Sequence, residues 1–196
     1  MSRAGRLTRS TGETGVEVAW NLDGTGVYEV STMMPFLDHM LAQLARHGRF
    51  DLTVSATGDL AVDAHHTVED VGIALGRAFR EALADGAGIR RYASAYAPLD
   101  EALVLAVVDC SGRPYLHYAV AVPRQRLGVF DTDLTEEFFR AFVTNAGITL
   151  HLMLIHGRNA HHIIEAAFKA VALALDRATQ LDPRIRDVPS TKGTLA

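Results

Sequence analysis

The chain has 196 residues, 48% of them hydrophobic, with 19 Lys and Arg against 23 Asp and Glu. This length suits one globular domain or two small halves around a shared core, and a net charge of −4 provides no basic stripe for a nucleic-acid backbone. No segment approaches the roughly 20 apolar residues that span a bilayer, and the polar start lacks an apolar signal core, so a cytoplasmic protein with no membrane partner is expected.

Residues 14–21 and 27–31 show the short β-branched alternation of strands, and Asp23-Gly24-Thr25-Gly26 between them predicts a hairpin. Over 36–47, Phe36, Leu37, Met40, Leu41 and Leu44 recur at helical spacing, and Gly48 follows as a stop. Residues 50–57 alternate as a strand. A longer helix is predicted over 66–84 from Val68, Val71, Leu75, Phe79 and Leu83, closed by Asp85-Gly86. The second half repeats the order. Strands are predicted at 103–109 and 115–122, joined by the Ser111-Gly112-Arg113-Pro114 turn. A helix at 137–145, a strand at 148–155 and an Ala-rich helix at 162–179 follow.

The repeat is visible in the residues themselves. FLDHMLAQLARHGRFDLTV runs parallel to LTEEFFRAFVTNAGITLHL, 98 residues on, and HHTVEDVGIALGRAFREAL runs parallel to HHIIEAAFKAVALALDRAT, 96 residues on. The expected fold is α+β, with duplicated pseudo-twofold halves and helices packed between two mostly antiparallel β-sheets. It is read as a single domain, 1–196, with halves at about 1–90 and 91–182 and a polar tail at 183–196.

Nine His and a lone Cys110 leave imidazole and carboxylate as metal ligands. His65-His66-Thr67-Val68-Glu69 and His161-His162-Ile163-Ile164-Glu165 are one H-H-x-x-E pattern used twice. On a helix, Glu69 and Glu165 each lie near a His three or four positions earlier. Consecutive residues diverge by about 100°, so the two His of a pair suit two ions better than one. His39 aligns with Glu137 in the repeat, and both are candidates to complete a coordination sphere. His117, His151 and His156 fall in strands and read as structural; His47 either complements a helix end or lines the pocket. Pro189-Ser190-Thr191-Lys192-Gly193 combines hydroxyls, backbone N–H groups and an ammonium, the chemistry of a phosphate site. Arg91, Arg113 and Lys169 are further anion-binding candidates. The pattern alone also suits a dinuclear metallohydrolase. A ferritin-like metal-binding bundle fits less well, because it uses E-x-x-H on four long helices and this chain is rich in strands.

The segments PFLDHML, GDLAVDAHHTVEDVGIALG, PLDEAL, DCSGRPYL, FDTDLTEEFFRAFVTNAGITLH, GRNAHHIIEAAFKAVALAL and PSTKGTL resemble the imidazoleglycerol-phosphate dehydratases, in order, from about Arg6 to Leu195. The resemblance implies a lyase of histidine biosynthesis that dehydrates D-erythro-imidazole-glycerol phosphate to imidazole-acetol phosphate via a dimanganese-bound imidazolate. It implies two Mn2+ per active site and a 24-subunit shell of trimers with sites between subunits. By the same resemblance the metal ligands are His39, His65, His66, Glu69, His161, His162 and Glu165. Many members carry a His where this chain has Glu137; carboxylate can replace imidazole at a divalent ion, so Glu137 is kept as the eighth ligand. Substrate contacts implied are Glu13, His47, Arg91, Arg113, Lys169, Ser190, Thr191 and Lys192, and the catalytic carboxylates are Glu13, Glu69 and Glu165.

Overall fold

Period-two alternation in β2 (Thr14–Asn21) sends Val16, Val18 and Trp20 inward and leaves Glu17 outside. β4 (Asp51–Gly58) does the same with Leu52, Val54 and Ala56. The computed structural model describes residues 3–195; Met1, Ser2 and Ala196, the ends of the expected first half and tail, lie outside the described residues. With β1 (Ala4–Ser10) and β3 (Tyr28–Ser31), these strands form a sheet in the order β1-β2-β4-β3. The second half builds β5 (Tyr92–Leu99), β6 (Ala102–Asp109), β7 (Tyr115–Ala119) and β10 (Thr149–His156) into the order β5-β6-β10-β7, the same topology again. A small antiparallel pair, β8 (Arg126–Leu127) and β9 (Phe130–Asp131), lies between β7 and the next helix.

The hairpin expected over 14–31 does not form, and the strands joined by the 111–114 turn do not pair with each other either. β2 pairs with β1 and β4, while β3 runs parallel to β4; likewise β6 pairs with β5 and β10, while β7 runs parallel to β10. The eight-residue β4 matches β2 along its whole length, which the four-residue β3 cannot. β3 and β4 are joined by a helical crossover, as parallel neighbours require. Strands β1 and β5, absent from the sequence reading, close the other edges.

Helices α1 (Pro35–Gly48), α2 (His65–Leu83), α3 (Leu134–Ala146) and α4 (Ala160–Thr179) lie between the sheets and pair across the halves: α1 with α4, and α2 with α3. A Cβ on Gly76 would lie 2.5 Å from the Phe142 carbonyl oxygen, so α2 and α3 touch almost backbone to backbone. Trp20 anchors the shared core, with ring centroids 5.3 Å from Phe50, 5.4 Å from Phe79 and 5.9 Å from Phe142 of the other half. Among the described residues no helix is long and apolar enough to cross a membrane.

Candidate active site

The first turn of α4 is fixed by Asn159, whose side-chain oxygen accepts from the backbone N–H groups of His161 (2.9 Å) and His162 (3.4 Å). The two imidazoles then diverge, with planes at 87°. His161 turns along its helix so that Nε2 lies 3.1 Å from Glu165 Oε2. His39, one turn into α1, places its Nε2 3.0 Å from the same oxygen. Lys169 Nζ holds the other oxygen at 2.5 Å. Burial works against the charge of Glu165, but hydrogen bonds from Lys169, His39 and His161 outweigh it and hold the carboxyl down to about 2. His39, His161 and Glu165 each bring a ligand atom within 4.8 Å of the others. Two imidazoles and a carboxylate fit a divalent transition ion such as Mn(II). On α1, His47 Nε2 donates to Gln43 Oε1 at 2.9 Å. Burial, aided by the charge of Lys169, lowers the pKa of His47.

The first turn of α2 mirrors this arrangement in part. The planes of His65 and His66 stand at 85°, and the His65 N–H donates to Asp63. His66 Nδ1 lies 3.0 Å from Asp59 Oδ2 and 3.7 Å from Glu13 Oε2; the Asp59 hydrogen bond leads in raising its pKa. On α4, His162 Nδ1 makes the matching contact with Glu101 Oε2 at 2.7 Å. That bond, with the N–H groups of Asn159 and Arg158, holds Glu101 down to about 2. Glu69 is exposed, and Glu137 turns to Arg140 on its own helix, 3.4 Å away. Among the described residues, only His39, His161 and Glu165 converge as three metal-ligating groups.

A third cluster lies at the far end of α4. Arg91 adopts φ +75°, and its N–H bonds to the carbonyl of Ala178, just before the end of α4. Its guanidinium is clamped by Asp109 (2.8 and 3.3 Å) and the carbonyl of Pro189 (2.8 Å). With Arg113, Ser190, Thr191 and Lys192 it lines an open cleft of about 580 Å³. Five of the predicted substrate contacts thus meet, while Lys169 and His47 stand instead with the cluster of His39, His161 and Glu165. At 1.5 Å per residue, the 17 positions from His161 to Ala178 put about 25 Å between the two ends.

A family model described as imidazoleglycerol-phosphate dehydratase matches residues 32–175. The chain belongs to this family. Dehydratases similar to it include that of Symbiobacterium thermophilum, 60% identical over 98% of this chain and 93% of the relative. That of Synechococcus sp. RCC307 is 59% identical over 100% of this chain and 97% of the relative. Among solved structures, the dehydratase of Staphylococcus aureus N315 aligns with a TM-score of 0.83 at 38% identity, covering 91% of this chain and 99% of its own. The Pyrococcus furiosus dehydratase in complex with (S)-C348 aligns equally well, covering 96% and 100%. The α+β fold with antiparallel-rich sheets is therefore that of the dehydratases, not of a helical bundle, and the reaction class is a dehydration in histidine biosynthesis. Sequence reasoning assigned no role to Asp59 or Glu101, although both lie in segments that carry the resemblance, because neither belongs to the H-H-x-x-E pattern.

Proposed function

We propose that the chain dehydrates D-erythro-imidazole-glycerol phosphate to imidazole-acetol phosphate at a site shared between subunits and furnished with two Mn2+ ions. The observation that carries this reading is the span of about 25 Å along α4 between the metal-ligating cluster and the anion cleft. A small phosphorylated substrate cannot reach from one to the other. One chain supplies the cluster of His39, His161 and Glu165, and another supplies the cleft of Arg91, Arg113, Ser190, Thr191 and Lys192. His65, Glu69 and Glu137 are the counterparts of that cluster in the repeat, and His66 and His162 would complete the two coordination spheres. When bound, the ions supply Lewis acidity and a template for the imidazole ring nitrogens.

The chain's own residues do the rest. The cleft fixes the phosphate, so the reacting carbons are held between two anchors. Glu13 is exposed in the β1–β2 turn, 3.7 Å from His66, and is the group suited to move the proton that leaves carbon. Lys169 keeps Glu165 ionised as a ligand and stands within the imidazole-binding end of the site.

Self-association into a 24-subunit shell of trimers in the cytoplasm completes the proposal. The outer face of the first sheet is polar, with Glu17, Thr53 and Ser55. The outer face of the second carries Leu103, Leu105, Val107, Met153 and Ile155, an apolar surface suited to another copy. The deciding experiment supplies the substrate to Mn(II)-loaded and chelator-stripped protein and follows the enol or ketone product. Product with Mn(II) and none without it is expected; no product from the loaded protein overturns the reading.

A further inference from the structure

The second imidazole of each H-H-x-x-E motif is held by a carboxylate from outside that motif. His66 Nδ1 meets Asp59 at 3.0 Å, and His162 Nδ1 meets Glu101 at 2.7 Å. An ionised carboxylate only accepts, so each Nδ1 carries the proton and each Nε2 is left with its lone pair. This is the arrangement by which an outer carboxylate fixes the tautomer and direction of a metal-binding imidazole.

The internal repeat explains why two different residues do this. Strands β1 and β2 correspond to β5 and β6, so Glu13 in the first connecting turn occupies the place of Glu101 in the second. Glu101 is tied into its turn. It also accepts from the N–H groups of Asn159 and Arg158, while its carbonyl takes His156 Nδ1 at 2.8 Å. Glu13 stands back from His66, with 58% of its side chain exposed, because Asp59 from the end of β4 occupies the Nδ1 position.

From this geometry we infer that Glu101 and Asp59 are positioning residues that orient His162 and His66 as Nε2 metal ligands, and that Asp59 thereby releases Glu13 toward substrate. The inference rests on the two-metal reading above. It assigns no direct contact with substrate to either carboxylate.

The test titrates Mn(II) into the metal-stripped full-length protein and reads free ion by electron paramagnetic resonance, beside thermal unfolding of the metal-free form. Glu101→Ala and Asp59→Ala should each weaken Mn(II) binding by roughly 10- to 100-fold. Glu101→Gln, which keeps an acceptor opposite Nδ1, should lose less. Phe79→Leu serves as the control. It removes ring contacts with Trp20 and Phe142 in the shared core, far along α2 from its histidines, should lower metal-free stability, and should leave Mn(II) affinity near wild type. Unchanged affinity in both Ala variants overturns the inference, as does an equal loss in Phe79→Leu, which would make the effect one of general destabilisation. If the wild type itself takes up no Mn(II), the two-metal reading has failed, a result distinct from either.

Discussion

His39 on α1 and Glu165 on α4 meet at 3.0 Å although 126 residues separate them in the chain. The contact exists because the short helix of each half packs on the long helix of the other. Duplication placed an H-H-x-x-E motif at the start of both long helices, and the exchange of helix partners brings His39 to the second motif. The same exchange sets α3, with Glu137, beside α2 and the first motif.

Glu165 links this geometry to pH. Its carboxyl is held near 2 when folded, against an ordinary value of 4.5, by Lys169, His39 and His161 acting against burial. A depressed folded value contributes stability above the unfolded value, and that contribution fades as pH falls from about 4.5 toward 2. Metal-free Glu165→Gln should therefore be less stable than wild type at pH 7, with the gap narrowing below pH 4.5. Denaturant midpoints across this range check it; a gap independent of pH would show that the charge of Glu165 contributes nothing.

Gly76→Ala separates two opposed effects. Helix propensity alone favours Ala by about 1 kcal/mol. The added methyl would lie 2.5 Å from the carbonyl oxygen of Phe142 and 2.8 Å from the N of Ala146, both backbone atoms unable to swing aside. Overpacking of this kind costs about 1–3 kcal/mol, so the variant should be destabilised. Urea unfolding decides the sign.

Phe142 joins the halves through its contacts with Trp20 and Phe79. Phe142→Ala should cost about 3–5 kcal/mol through lost burial and the cavity left behind. Trp20 is the only tryptophan, so its fluorescence reports the transition directly.

The helices and the central strands were legible because each presents its own period. The pairings were not. The turns at 23–26 and 111–114 carry hairpin chemistry, yet β4 and β10 arrive later in the chain and take the slots beside β2 and β6. β1 turns mostly polar residues outward, and β5 buries only the small Ala95 and Ala97, so neither has a strong apolar signature. That His161 and Glu165 face one another followed from motif spacing, but that His39 of the other half joins them did not, since it depends on the exchange of helix partners. Nor did Glu101 follow, since it lies 88 residues beyond Glu13 while the motifs are offset by 96, and the correspondence emerges only from the strand topology.

The proposed sharing of the site between subunits makes a sharper prediction than assembly size does. Arg113→Ala removes an exposed cation from the cleft beside Arg91, and Glu165→Gln removes the carboxylate from the cluster with His39 and His161, about 25 Å away along α4. Each variant alone should lose activity by about 100-fold or more, because orientation and metal chemistry each contribute at least that much. When the two are co-expressed with different tags and purified through both, some sites should combine an intact cleft from one chain with an intact cluster from the other. Random assortment of equal amounts restores about a quarter of the sites, and turnover should recover to that level in a closed symmetric assembly. A mixed oligomer as inactive as either parent would mean that one chain supplies both ends of its own site.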